Sequence, residues 1–104
     1  MKLSLISSGK SLGQRVIDNE HFASYLDTSD QWIRERSGIS TRRWVADETT
    51  LDLAVAASED CLSQVPDYDR SKIAVVICAS VTTDEVVPAI AARLQEKLGL
   101  STDI

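Results

Sequence analysis

The sequence predicts an α/β fold in which parallel strands are joined by crossover helices, with the sheet incomplete within this chain. Three observations predict it. IAVVICAS at 73–80 is an unbroken apolar run rich in β-branched residues, as in a parallel strand covered on both faces. TTLDLAVAASEDCLSQV at 49–65 instead spaces its apolar residues at helical intervals. The resulting order of strand, helices, strand, helix and a final strand start suits right-handed crossovers between parallel strands.

Leu3 to Ser7 reads as a short first strand ending at Gly9. SGKS at 8–11 lacks the upstream glycine that a phosphate-binding loop requires, so it reads as a turn. Asp18 or Asn19 can cap a short helix that carries Phe22, Tyr25 and Leu26 on one face. TSDQ at 28–31 has the form of a capping box, with Thr28 as N-cap and Gln31 at the third helical position. That helix should stop near Ser37, because Gly38 suits the left-handed residue after a helix. Residues 39–48 read as an extended or looped connection.

In the third helix, Leu51, Ala54, Val55, Ser58, Cys61, Leu62 and Val65 mark a buried face, and Pro66 ends it. The many alanines suggest a close neighbour. Pro88 suits the first turn of a further helix, in which Ile90, Ala91, Leu94 and Leu98 share a face. Gly99 stops that helix, and Asp103-Ile104 looks like the start of a strand. Two full strands leave both sheet edges without partners. Residues 1–104 therefore read as the amino-terminal fragment of a larger domain, its last strand cut off near 103.

With a net charge of −5, the chain offers nucleic acid no general electrostatic attraction, although residues 34–43 hold four of its eleven basic side chains. No run of about 18 apolar residues exists to span a membrane, and the start is too short and polar for a signal peptide. Cys61 and Cys78 match neither a zinc pattern nor a redox pair, and His21 is the only histidine. A cytoplasmic chain with reduced thiols and no metal or resident cofactor is the expectation.

Thr28, Trp32 and Arg36 recur at every fourth residue, which on a helix sets a hydroxyl, a flat aromatic face and a planar cation along one stripe. Such a stripe can stack a purine, bond its edge and pair with a phosphate. It is also the pattern of a Trp32 packed inward under a covering arginine. Spacing leaves both open.

The block DTSDQWIRERSGI at 27–39 closely resembles a signature near the start of β-ketoacyl-[acyl carrier protein] synthase III. The likeness continues through Gly9 and Leu12, Arg42 and Arg43, the IAVVICAS strand, the Pro88 helix and Gln95 to Gly99. It implies a thiolase-like fold, built from two similar halves and working as a cytoplasmic homodimer. It also implies an activity, in which an acyl group from acyl-coenzyme A passes to a cysteine and condenses with malonyl on an acyl carrier protein. By this resemblance Trp32 stacks on the adenine of coenzyme A, Thr28 hydrogen-bonds beside it and Arg36 faces phosphate. Coenzyme A enters as a substrate thioester, not as a cofactor.

The resemblance places no catalytic residue in this chain, since the family's nucleophilic Cys and its His and Asn partners fall beyond Ile104. Cys61, Cys78 and His21 do not match them. Gly13 stands where the family usually has proline, a loop change of small expected consequence. Val87 stands where well-known members carry an aromatic that reaches across the dimer into the partner's acyl pocket. The alternative is a short, non-catalytic α/β protein that binds coenzyme A or a partner chain.

Overall fold

The computed structural model describes residues 1–103. Two compact units emerge, one formed by Leu12–Asp47 and the other by Met1–Ser11 with the chain from Glu48 onward.

In the first unit, β1 (Arg15–Asp18) leads into α1 (Asn19–Ala23), followed by α2 (Asp30–Ser37) and β2 (Thr41–Trp44). β1 and β2 pair antiparallel, with Arg15 opposite Trp44 and Asp18 opposite Thr41. Among the described residues this is the only ladder. β2 lies within the segment 39–48 that reads from sequence as an extended or looped connection, and four-residue strands are too short to show a clear two-residue period. Asp18 caps α1, its carboxylate accepting the His21 N–H.

The cap of α2 sits one residue later than the spacing predicts. Ser29, not Thr28, accepts the Trp32 N–H, and Gln31 bonds Glu35 instead of closing a capping box. With Ser29 as cap, Asp30 becomes the first helical residue, where its charge faces the positive end of the helix and reaches Arg34 one turn on. Gly38 ends the helix as expected, at φ 72°, a left-handed conformation costly for any residue with a Cβ.

The second unit is built on α3 (Thr50–Ser63) and α4 (Ile90–Lys97). The capping box lies here: Thr49 accepts the Asp52 N–H, and the Asp52 carboxylate accepts the Thr49 N–H. Leu51, Leu94, Leu98 and Leu100 form the buried centre, with Ala54, Val55, Ile73, Val76, Cys78 and Ile90 against it. The predicted faces of both helices are those that pack. Pro88 lies two residues ahead of α4, not in its first turn, and Ala89 is the N-cap. A single 3₁₀ turn at Arg70–Lys72 is tied to α3 by Arg70 and Glu59, 2.8 Å apart.

The two segments expected as strands, 3–7 and 73–80, make no ladder among the described residues. A strand exists by hydrogen bonds to a neighbouring strand, and the second unit supplies none. Ile73, Val76 and Cys78 pack inward, while Val75 and Ile77 stay 70% and 86% exposed. Residues 7–10 instead lie along α3: Ser7 donates to the Cys61 carbonyl at 2.7 Å, Gln64 to the Ser8 carbonyl at 2.7 Å, and the Lys10 N–H to Asp60 at 2.9 Å. SGKS is thus a docked turn. Asp103 lies in a turn, and the remainder of the expected last strand falls outside the described residues.

Gly13 is a packing position, contrary to the small consequence expected of it. A Cβ there would stand 2.3 Å from the backbone carbonyl of Trp44 and 2.6 Å from Val45 N. Backbone cannot swing aside as a side chain can. Gly13→Ala in the complete protein should therefore cost about 1–3 kcal/mol, the usual penalty of overpacking, read as a lower urea midpoint with unchanged slope. An unchanged midpoint would mean that the loop re-forms around the methyl group.

Candidate functional site

The site grows from one buried amide. Asn19, the first residue of α1, is 0% exposed. Its Nδ2 donates to Asp30 Oδ1 and to the Ile39 carbonyl, both at 2.8 Å, and its Oδ1 accepts from Arg42 at 2.8 Å. The two ends of α2 and strand β2 are thereby referred to one point. A buried amide so satisfied is favourable, whereas each partner left alone would be costly. Arg42 also lies 4.6 Å over the Phe22 ring, a cation–π contact.

Asp30 accepts from Arg34 as well as from Asn19, both at 2.8 Å. The Arg34 hydrogen bond first, then that of Asn19, holds its carboxyl below the usual carboxylate range.

α2 so held presents Trp32 outward, 55% exposed. The Arg36 guanidinium lies 5.7 Å from the centroid of the indole. Beside Trp32 opens a cavity of about 800 Å³, lined among others by Phe22, Leu26, Thr28, Ile33 and Arg42. Within it the Thr28 hydroxyl oxygen is buried and has no hydrogen-bond partner among the described residues. Such a group costs free energy unless something else satisfies it.

The structure thus brings Thr28 and Trp32 to one cavity and sets Arg36 against the Trp32 ring. It does so differently from the helical stripe read from spacing. Thr28 precedes the N-cap and lies outside α2, and the cation lining the cavity is Arg42 of β2. Asn19 and Arg42 were not found as site residues. The signals available, a candidate cap and a family match, said nothing of their contact with each other.

Val87 belongs to the second unit, 82% exposed in the loop before Pro88. Cys61 and Cys78 are half-buried free thiols, the former on α3 and the latter against the leucine centre. His21 stands edge-on to Phe22, Tyr25 and Trp44, with ring centroids 5.3 to 5.5 Å away. Among the described residues no group of three or more His, Cys, Asp and Glu side chains could hold a metal ion, and no helix is long and apolar enough to cross a membrane.

No protein-family model matches the chain. Individual relatives do. A β-ketoacyl-[acyl-carrier-protein] synthase III of Alkalilimnicola ehrlichii is 44% identical over 97 residues, covering 92% of this chain and 30% of the relative. The corresponding protein of Acholeplasma laidlawii is 35% identical over 101 residues, covering 97% of this chain and 32% of the relative. A solved synthase III of Thermus thermophilus superimposes with a TM-score of 0.81 at 42% identity, over 94% of this chain and 30% of that one. In sequence and fold the chain matches the amino-terminal portion of the β-ketoacyl-[acyl-carrier-protein] synthase III family. It spans about a third of the length of the curated synthase III relatives it matches. The α/β, thiolase-like fold class expected from sequence is that of the synthase III structures, and the sheet is incomplete within this chain.

The buried amide has a measurable signature. Asn19→Ala in the complete protein should cost about 3 kcal/mol, since three polar partners each lose a hydrogen bond to a fully buried amide. The acid limb of stability should change too. Asp30 binds its proton less readily folded than unfolded, so its contribution is complete above the unfolded value and lost as pH falls through the lower folded one. Removing Asn19 leaves only Arg34 to depress it, so this loss should begin at a higher pH, as read from urea midpoints between neutral and acid pH.

Proposed function

We propose that this chain is the amino-terminal part of an acyltransferase that condenses an acyl-coenzyme A with malonyl-[acyl carrier protein], and that it supplies the surface holding the coenzyme A nucleotide. The observation that carries the reading is the exposed Trp32 beside a cavity lined by Thr28, whose hydroxyl has no hydrogen-bond partner among the described residues. An indole face stacks adenine with little directional demand, and a hydroxyl that both donates and accepts bonds the purine edge. Arg36, against the same indole, supplies charge for a phosphate.

In this reaction the acyl group moves from the coenzyme A sulfur to a cysteine thiolate, releasing coenzyme A. Malonyl then loses carbon dioxide, and the resulting carbanion attacks the acyl-cysteine carbonyl, forming the new carbon–carbon bond as the thioester C–S bond breaks and the cysteine thiolate leaves. Cys61 and Cys78 are not that nucleophile. Each is half-buried, away from a helix N-terminus that could activate it. The reacting cysteine and its base belong to the rest of the complete protein, which acts in the cytoplasm as a homodimer and receives an acyl carrier protein. Val87 is the residue of this chain that lines the partner's acyl pocket.

Trp32→Ala in the complete protein should weaken acyl-coenzyme A by about 1–3 kcal/mol, the worth of a base stacked on an aromatic ring. Acylation by a short thioester lacking the nucleotide should be unchanged. Equal losses with both thioesters would make Trp32 a packing residue and end the assignment.

Thr28→Val separates ligand contact from structure. It removes a hydroxyl with no hydrogen-bond partner among the described residues, so thermal stability should hold or rise. Acyl-coenzyme A should bind less tightly by about 1 kcal/mol, one neutral hydrogen bond. Unchanged binding with raised stability would exclude Thr28 from the nucleotide site.

A further inference from the structure

The loop that carries Val87 is tied to the rest of its unit by one carboxylate. Asp84 Oδ1 accepts the Thr50 N–H at 3.1 Å, and its Oδ2 accepts the Leu51 N–H at 3.0 Å. Two bonds beside it point the same way. The Thr50 hydroxyl donates to the Thr82 carbonyl at 2.6 Å, and Arg93 of α4 lies 3.3 Å from Glu85.

The start of α3 does not depend on this arrangement. Thr49 and Asp52 already close a reciprocal capping box there. What Asp84 takes are the next two N–H groups, which no helix can satisfy internally and which carry the positive end of its dipole. A carboxylate suits that end better than a neutral acceptor does.

The loop depends on it far more. Val81, Val86 and Val87 are all exposed, so no apolar anchor fixes this stretch. The Glu85–Arg93 pair is half open to water, and such pairs contribute little. Val87 follows Asp84 by three residues, at most about 10 Å of extended chain. Cut that anchor, and nothing firm holds the loop between the Thr82 carbonyl and α4.

We propose that Asp84 is a positioning residue that fixes Val87 and thereby sets the acyl-chain selectivity of the enzyme. The inference rests on the reading of Val87 as an acyl-pocket residue. A wall residue discriminates between chain lengths only while it is held in place; a freed one yields to a longer chain at little cost.

The experiment measures kcat/KM of the complete protein for acetyl-, butyryl- and hexanoyl-coenzyme A in four variants. The ratio between two substrates on one preparation cancels the folded fraction, so loss of stability alone does not move it. Val87→Phe should shift the profile toward acetyl. Asp84→Ala should flatten it, narrowing the spread between best and worst substrate by about threefold or more, the scale of one lost hydrogen bond. Asp84→Asn, which keeps one acceptor oxygen, should flatten it less. Thr50→Val removes only the bond to Thr82, should also flatten it slightly, and stands in if Asp84→Ala does not fold.

A profile that moves with Val87→Phe and is unchanged in the folded Asp84 and Thr50 variants overturns the role of Asp84 and leaves the pocket reading standing. A profile that ignores Val87→Phe overturns the pocket reading, and the positioning role falls with it.

Discussion

The Leu12–Asp47 unit depends on the amide of Asn19 more than on any apolar contact. Its three bonds at 2.8 Å join the first turn of α2, the residue after α2's closing glycine and strand β2. All three partners lie 11 to 23 residues from Asn19 in sequence. An apolar residue of similar size would fill the space and take one hydrogen bond each from Asp30, the Ile39 carbonyl and Arg42. Such losses cost about 1–3 kcal/mol per group. The amide therefore specifies one arrangement where hydrophobic packing alone would tolerate several.

This polar fastening explains how Trp32 comes to be exposed. α2 contains no buried residue, so it is not held by an apolar stripe as α3 and α4 are. Its end groups anchor it instead: Ser29 at the cap, Asp30 on Asn19 and Arg34, and Gly38 turning the chain toward Ile39. With that work done by the backbone ends and short polar side chains, the large aromatic face is available for something other than packing. Arg36 lies against it, and Thr28, its buried hydroxyl without a hydrogen-bond partner among the described residues, lines the cavity beside it.

Much of this was legible in the sequence, and what was missed has physical reasons. The α3 and α4 faces followed directly from apolar spacing, and Gly38 marked the end of α2. The capping-box pattern starts at Thr28, yet the Ser29 hydroxyl is an equally good acceptor for a helix N–H and takes that of Trp32, while Asp30 is held by Asn19. The β1–β2 pairing has no clear sequence signal, because four residues hold barely two periods and two helices separate the strands. IAVVICAS was correctly read as apolar, but a strand is made by its neighbours, and composition cannot report whether they are present. On the site, the block around Trp32 carried the family likeness. Asn19 and Arg42 leave no periodic trace, for a side-chain contact between residues 23 apart has no spacing rule.

The half-covered apolar stretch at 73–80 has a consequence for how such a chain is made. From Ile73 to Ser80 there is no charge, no proline and no glycine, and Val75 and Ile77 face away from the leucine centre. Uncharged, β-prone stretches of this length are efficient templates for pairing with copies of themselves. During synthesis this stretch leaves the ribosome with α3 ready to cover only one of its sides. Until a neighbouring strand arrives, the other side is a seed for clumping between nascent chains. The pace of translation and the chaperones that meet the chain then bear on yield as much as the stability of the finished fold does.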